Sequence, residues 1–346
     1  MRMGSKKKMA ARKLLSETSG ELIIRSGDIE VRLSRKNGCI TGIYDARTGK
    51  PLCTVADSPG CERLFRILAM RRGQRGYVCD AHKQTDVKLK ERVGGLVIVY
   101  DRLIFNGHEC ACSAVVTIEK SADSELRFSI FVDNRGDNPV YEIQFPMLPG
   151  WQNREGEPTV QLTAGAKWQS TVGQLPRFGF AIHGGRQVSV GYPGSMMYMP
   201  WLDFSLSGSG LSMINYMERP YTGGIAGVNL AGHEKGSLEC YWWIHYPLIK
   251  KGGRWNSPPI GVSLRNGDWH NTADRYYKWF RSNIGVKIQQ PEFLRTAIGF
   301  QNIYLRDFDG NRVNESNSLP EHARAGLKYG INHLCVWDYL LSLIHI

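Results

Sequence analysis

The strongest constraint in this sequence is a stretch of about 240 residues, from Glu21 to about Leu264, with the pattern of an all-β protein. Short runs rich in Val, Ile, Phe and Tyr alternate there with turn-forming pairs such as Asn-Gly, Gly-Asp and Pro-Gly. A single immunoglobulin-like sandwich needs only about 100 residues. The stretch therefore predicts a larger antiparallel β-sandwich with many strands.

Two local patterns support this prediction. Asn106-Gly107 separates LVIVYDRLIF from HECACSAVVTIE, and this pair readily adopts the positive φ angles of a tight hairpin turn. In the next strand apolar and polar residues alternate, which places one apolar set on a single face: Leu126, Phe128, Ile130 and Val132. We expect that face to be buried.

A helical period replaces the strand pattern after the sandwich. Asp268 is in the N-cap position, and Asp274 and Lys278 are spaced to form an i, i+4 ion pair. Four residues have the spacing of one apolar helix face, namely Ala273, Tyr276, Tyr277 and Phe280. Residues 267–292 are therefore predicted to be a linker helix and connector, which leaves residues 21–266 for the sandwich.

Beyond the connector the sequence predicts a strand over residues 296–304, a helix over residues 319–329 and a strand over residues 332–338. Ser318 and Glu321 have the spacing of a capping box, and Gly330 lies where the chain turns left-handed after a helix. A helical crossover of this kind joins parallel strands. Residues 293–340 are therefore predicted to begin a second domain with a parallel sheet.

A parallel sheet needs further strands and cover on both faces, yet only eight residues follow Asp338. We therefore expect the second domain to be incomplete. The last six residues, LSLIHI at 341–346, match the translation of a common sequencing adaptor. They are predicted to be an assembly artefact.

The net charge of +12 is uneven along the chain, because six basic residues and no acidic ones occur among the first thirteen. Residues 1–20 are predicted to be a disordered basic tail rather than a nucleic-acid contact. No apolar run resembles a secretory signal or a membrane span. Eight cysteines are too few for a disulfide scaffold of this length. We expect a cytoplasmic protein with neither nucleic-acid nor membrane partners.

Two segments have the residue types of metal sites. His108, Cys110 and Cys112 alternate along one predicted strand, but same-face neighbours about 7 Å apart fit a tetrahedral zinc site poorly, which favours structural thiols. The segment from Asp307 to Asn311 has part of the oxygen pattern of a calcium loop, and an ordinary Asp-Gly turn explains it better. We expect no metal and no cofactor.

Other residues have the chemistry of sugar binding, which needs aromatic faces for C–H groups and carboxylates for hydroxyls. In the late sandwich these are Trp201, Asp203, Trp242 and Trp243, although most tryptophans simply belong to a core. In β/α domains chemistry gathers where strands end, which here points to Gln301, Asn302, Tyr304, Trp337 and Asp338. From these, Trp337, Asp338 and Gln301 are the predicted substrate-binding residues.

Three stretches resemble a family of mostly bacterial glycoside-hydrolase-like proteins. They are YPGSMM at residues 192–197, followed by GLSMIN; GDWHNTADRYYKWF; and IGFQNIY followed by LPEHARAGLKYGINHLCVWDY. Together they cover the late sandwich through the end of the chain. The earlier sequence resembles this family only in its general β character.

The resemblance implies a galactose-mutarotase-like supersandwich followed by a TIM-type barrel, distantly similar to α-galactosidases and endo-α-N-acetylgalactosaminidases. The expected fold is therefore mainly β, with a large antiparallel β-supersandwich followed by the first βαβ unit of an incomplete (β/α)8 barrel. Substrates would be oligosaccharides or glycans, and two catalytic carboxylates would come from later strands. The resemblance therefore assigns no catalytic residue to this chain, and the fragment is expected to be inactive. Asp338 resembles a carboxylate that accepts hydrogen bonds from sugar hydroxyls.

Two other functions fit the sequence. The sandwich would also serve as a non-catalytic carbohydrate-binding or scaffolding module, since a fold does not establish a function. A sugar epimerase would need a histidine and a glutamate converging in a cleft of the sandwich, and His183, His233 and His245 are the candidates. The sequence does not predict the sugar or the oligomeric state.

Overall fold

The computed structural model describes residues 15–17, 20–71, 73–121, 123–151, 160–164, 172–174, 187–193, 197–206, 209–219, 221–229, 238–284, 292, 299–307 and 309–337. The chain divides into two compact units, residues 1–284 and residues 285–346. Among the described residues the first unit contains β-strands, a short 3-10 helix at Ala81–Lys83 and an α-helix after the last strand, and the second contains a strand, an α-helix preceded by a 3-10 turn, and a strand.

The strands of the first unit are numbered in chain order. The earlier ones are β1 (Leu15–Glu17), β2 (Glu21–Ser26), β3 (Ile29–Ser34), β4 (Ile40–Asp45), β5 (Pro51–Thr54), β6 (Arg66–Arg71), β7 (Gln74–Asp80), β8 (Val87–Arg92), β9 (Gly95–Tyr100), β10 (Leu103–Phe105), β11 (His108–Cys110) and β12 (Cys112–Lys120). The later ones are β13 (Leu126–Asn134), β14 (Val140–Trp151), β15 (Val160–Ala164), β16 (Val172–Gln174), β17 (Gln187–Tyr192), β18 (Met199–Leu206), β19 (Ser209–Asn215), β20 (Gly223–Asn229), β21 (Glu239–His245), β22 (Gly253–Asn256) and β23 (Ile260–Asn266).

These strands form three antiparallel sheets and a short hairpin. The first sheet contains β1 to β5 in sequence order, and the second has the order β17-β20-β21-β14-β6-β7. The third has the order β16-β15-β18-β19-β23-β13-β12-β9-β8, with β22 also paired to β13. The prediction of a mainly β fold with large antiparallel sheets is confirmed.

One continuous core of buried apolar side chains is shared by the three sheets. In β13 the predicted alternation is confirmed, because Phe128, Ile130 and Val132 are completely buried while Phe131 between them is 36% exposed. Full burial of such a side chain stabilises the fold by about 1.5–3 kcal/mol. The core therefore depends on the two-residue period of the strands.

The predicted hairpin at Asn106-Gly107 is also confirmed. Asn106 has a φ of 45° and Gly107 a φ of 82°, and the turn joins β10 to β11. The same two arms continue as β9 and β12, which pair with Tyr100 opposite Ala114. Within the segment predicted to be a basic tail, residues 15–17 form β1 and pair with β2.

Helix α1 (His270–Asn283) ends the first unit and packs on β18, β19 and β23. Its N-cap is Trp269, one residue later than predicted, and Asp268 Oδ1 accepts the N–H of the first helical residue at 3.0 Å. Tyr276 lies in the interface, whereas Tyr277 is 59% exposed. Tyr277 was predicted to lie on the buried face together with Tyr276. Adjacent helical residues are rotated by about 100°, so Tyr277 lies outside that face.

The second unit contains β24 (Phe300–Tyr304), helix α2 (Leu319–Leu327) and β25 (His333–Trp337), and its two strands pair in parallel. Gly330 has the predicted positive φ, 75°. The predicted capping box is wrong. Ser318 closes a 3-10 turn and already has helical angles, so its hydroxyl donates to the carbonyl oxygen of Glu315 at 2.7 Å instead of capping α2.

Candidate functional site

The candidate site lies where the two parallel strands of the second unit end. Tyr304 is directly opposite Trp337 in the register of β24 and β25. Their rings stack with centroids 6.1 Å apart and planes 14° apart, and each side chain is about half exposed, 48% and 47%. The Trp337 Nε1–H donates to Asn302 Oδ1 at 2.9 Å. Three side chains thus form one exposed surface.

Strand alternation explains why these residues share a face. Positions 302 and 304 point to one side of β24, and the register brings Trp337 beside them. Asn302 uses its oxygen for the Trp337 indole, and its NH2 group has no hydrogen-bond partner among the described residues, which leaves it available to donate to a ligand. Flat aromatic rings beside an amide offer both stacking for C–H groups and a hydrogen bond for a hydroxyl. The surface is chemically suited to a saccharide.

The loop after β24 supports this edge. The Asn314 Nδ2–H donates to the carbonyl oxygen of Tyr304 at 2.7 Å. Asp307 Oδ1 accepts the backbone N–H groups of Asp309 and Asn311 at 3.0 and 2.8 Å. Hydrogen bonds from the Asn311 side chain and from these N–H groups lower the pKa of Asp307. The segment from Asp307 to Asn311 is therefore an Asp-Gly turn, which is the interpretation that the sequence favoured over a calcium loop. Its Asp307 carboxylate is already hydrogen-bonded within the turn.

Gln301 does not join this surface. It lies on the other side of β24, where its Oε1 would be 3.0 Å from a Cβ added at Gly326 of α2. That oxygen is buried and has no hydrogen-bond partner among the described residues. Gln301 therefore faces the helix, and Asp338 lies outside the described residues. Tyr304 is opposite Trp337, and alternate residues of a strand share a face. Residue 302 therefore lies on the same face as Tyr304, so this rule would have selected Asn302 instead of Gln301.

The candidate sugar-binding residues of the sandwich belong to its core. Trp201, Trp242 and Trp243 are at most 2% exposed, and Asp203 is completely buried. Asp203 binds Arg265, with Oδ1 2.5 Å from a guanidinium nitrogen, and it also accepts the Thr272 hydroxyl at 2.6 Å. None of the four side chains is available to a ligand at the surface.

Of the three histidines considered for epimerase chemistry, His245 is completely buried. The Tyr221 hydroxyl is 2.6 Å from His245 Nδ1, and His245 Nε2 is 3.1 Å from the carbonyl oxygen of Phe145. Burial lowers the pKa of His245 to about 4, against the opposing effect of that carbonyl. His245 is therefore a neutral core residue, and His183 and His233 lie outside the described residues.

The His108, Cys110 and Cys112 set is separated by a bend at Ala111, because β11 ends at Cys110 and β12 begins at Cys112. His108 is exposed, whereas Cys112 is buried. Among the described residues no three His, Cys, Asp or Glu side chains come together in a way that would hold a metal ion. The described part of the chain also contains no helix long and apolar enough to cross a lipid bilayer.

No protein-family model matches the sequence, and no curated protein matches it. The chain is structurally similar to the GH36 α-galactosidase AgaB from Geobacillus stearothermophilus, with a TM-score of 0.50 and 8% identity. The similarity covers 93% of this chain and 50% of that one. At this identity the similarity shows the fold alone. This chain spans about half the length of the α-galactosidase.

Two further solved structures are similar at lower scores. The galactosidase domain of the α-galactosidase-sucrose kinase AgaSK has a TM-score of 0.49 and 8% identity, covering 92% of this chain and 50% of that one. A galactose mutarotase-like protein from Lactobacillus casei has a TM-score of 0.48 and 9% identity, covering 71% of this chain and 100% of that one.

Proposed function

We propose that this chain is the N-terminal part of a glycoside hydrolase that acts on oligosaccharides or glycans. The observation that carries the proposal is the exposed Tyr304 and Trp337 pair at the carboxyl ends of two parallel strands. In β/α barrels the active site is built at that end of the strands. The structural similarity to an α-galactosidase, about half of whose length this chain spans, supports the same proposal.

In this proposal residues 21–266 form a galactose-mutarotase-like sandwich, and residues 267–292 are a linker helix and connector. Residues 293–340 begin the (β/α)8 barrel, and residues 341–346 are a sequencing artefact. Trp337 stacks against a sugar ring, Asn302 donates to a hydroxyl, and Asp338 accepts hydrogen bonds from hydroxyls. The two carboxylates that cleave the bond are assigned to later barrel strands, and the fragment is proposed to be inactive on its own.

Cleavage then depends on two carboxyl groups from later barrel strands. One protonates the glycosidic oxygen as it leaves. If the two carboxyl groups are about 5–5.5 Å apart, the other one attacks the anomeric carbon. If they are about 6.5–9.5 Å apart, it activates a water molecule instead. No cofactor is required for either route. The residues described here bind and orient the sugar, while the outcome at the anomeric carbon depends on the later strands.

The first experiment is to sequence the source DNA past the codon for Tyr339. We expect the reading frame to continue for about 200 residues or more, the length a barrel requires, with Asp or Glu at the ends of two later strands. A frame that ends at LSLIHI would overturn the hydrolase proposal, because two catalytic carboxylates would then be missing. A non-catalytic carbohydrate-binding or scaffolding module would be the better explanation.

The second experiment measures saccharide binding to the protein from the longer frame. Trp337→Ala should weaken binding of raffinose about tenfold, which corresponds to ~1.4 kcal/mol, because a sugar ring loses its stacking surface. Tyr329→Ala is the matched control, since this aromatic residue of the same unit is 82% exposed and lies outside the site. Equal effects of the two substitutions would contradict the assignment of Trp337.

A further inference from the structure

A polar cleft of about 930 Å3 lies in the first unit. One wall is helix α1, and the rest comes from β13, β23 and the turns beside them. Ligand pockets in proteins have volumes of about 300–1,000 Å3. The cleft is therefore large enough for a ligand of about two or three sugar units.

Three side chains that line the cleft, Arg127, Tyr216 and Arg275, share hydrogen bonds with Glu125, whose carboxylate is completely buried. Glu125 Oε1 accepts the Arg127 Nε–H at 2.9 Å, and Oε2 accepts the Tyr216 hydroxyl at 2.7 Å. Arg275 also donates to Oε2, at 3.4 Å. Burial, with Glu125 next in importance, raises the pKa of Tyr216, so its hydroxyl stays a donor. A site built on such a network needs little rearrangement when it binds a ligand.

The charges around the cleft balance. The cations that line it are Arg127, Arg265, Arg275 and Lys278. The carboxylates that line it or pair with these cations are Asp123, Glu125, Asp203 and Asp274. Sites for phosphate or nucleic acid carry a clear excess of cations. An equal number of both signs favours a neutral ligand.

The α1 wall presents donors and acceptors that the protein itself leaves available. Asp274 and Lys278 were predicted to pair at i, i+4, but the structure shows no ion pair or hydrogen bond for either one among the described residues. Asn271 and Ser282 line the same wall. A neutral ligand that satisfies both acceptors and donors must carry many groups that do both, and hydroxyl groups have that property.

One side of the cleft is aromatic. Trp279 lines it and is half-buried. The ring is held by Tyr216, 5.1 Å between centroids, and by Tyr276, 5.7 Å between centroids. A fixed aromatic ring beside carboxylate, amide and hydroxyl groups provides both contacts that a pyranose needs, stacking for its C–H face and hydrogen bonds for its rim.

We propose that this cleft is a second saccharide site, which binds a neutral oligosaccharide of about two or three units. Trp279 stacks on one sugar ring, Asp274 accepts from hydroxyls, and Lys278 and Arg275 donate to hydroxyl oxygens. The site is independent of Trp337 and of any hydrolytic activity. It holds an oligosaccharide on the sandwich and performs no bond cleavage.

The test is calorimetric titration of the intact chain with raffinose, maltotriose and inorganic phosphate. We expect at least one neutral saccharide to bind, and Asp274→Ala to weaken that binding about tenfold, the effect of losing a hydrogen bond to a charged group. Trp279→Ala should weaken it at least as much. Asp57→Ala, which removes another exposed aspartate outside the cleft, should leave it unchanged.

Asp274 is exposed, so its variant keeps the proposal testable even if Trp279→Ala disturbs folding. Binding that is unchanged in both variants overturns the proposal, as does the absence of binding by both saccharides or a preference for phosphate. Saccharide binding lost in Trp337→Ala but kept in Asp274→Ala would support the strand-end site and reject the cleft. Saccharide binding kept in Trp337→Ala and lost in Asp274→Ala would support the cleft and reject the strand-end site.

Discussion

The two units place the same kind of residue in opposite surroundings. Phe128 of β13 is completely buried, whereas Phe300 of β24 is 65% exposed. β13 has hydrogen-bonded neighbours on both edges and lies over the shared core, while β24 pairs with β25 within the described residues. An apolar strand residue is therefore buried only when its sheet packs against other elements.

Charged groups differ between the units in the same way. The first unit buries the Asp203 and Arg265 pair, at 0% and 4% side-chain exposure. In the second unit the Arg312 and Glu315 pair is 60% and 58% exposed. A buried pair depends on both partners, whereas an exposed pair contributes about 0–1 kcal/mol. Substitutions should therefore have unequal effects in the two units.

The largest expected difference comes from the two phenylalanines. Phe128→Ala should cost about 3–5 kcal/mol, because it removes a buried ring and leaves a cavity. Phe300→Ala should cost less than ~1 kcal/mol, since most of its ring is already in water. Hydrogen exchange of peptides that cover β13 and β24 measures both effects. Equal losses of protection would mean that β24 is buried as deeply as β13, which would contradict the difference between the two units.

The buried ion pair gives the next effect. Asp203→Ala leaves the Arg265 guanidinium in the interior without its carboxylate, which should cost about 3–5 kcal/mol. Chemical denaturation of the first unit measures the loss. The control is Arg312→Ala in the exposed pair, which should change stability by less than ~1 kcal/mol. A small effect of Asp203→Ala would show that water reaches this part of the sandwich.

His245 predicts the pH dependence of the first unit. The unfolded chain takes up this proton near the ordinary pKa of 6.5, but the folded chain does so only near 4. Stability is therefore lost as the pH falls from 6.5 towards 4, by about 3 kcal/mol. His245→Gln should flatten this part of the profile, measured by denaturation at several pH values. An unchanged slope in the variant would assign the effect to other groups.

The smallest expected effect tests the turn after α2. Gly330 has a φ of 75°, so Gly330→Ala should destabilise the second unit by about 1–2 kcal/mol through the left-handed backbone. Gly299 is the matched control, because a Cβ there meets open space and its φ is outside the left-handed range. Gly299→Ala should have an effect within ~0.5 kcal/mol. Hydrogen exchange of β25 measures both variants.

The site was only partly predictable from the sequence. Trp337 was selected because it ends a parallel strand, and the structure places it on an exposed surface. Gln301 was selected by the same rule and faces α2 instead. Being near a strand end does not determine which face a side chain occupies, since adjacent residues alternate. Asn302 and Tyr304 join Trp337 through the register of the two strands.

The local features of this protein follow from its sequence: strand alternation in β13, the Asn106-Gly107 turn, helix α1 and the left-handed Gly330. These depend on the period and backbone preferences of neighbouring residues. The burial of Trp201, Trp242 and Trp243 and the polar cleft beside α1 depend instead on tertiary packing. Such features arise from residues far apart in the chain, so burial and charge balance are properties of the packed sheets and helix rather than of any single segment.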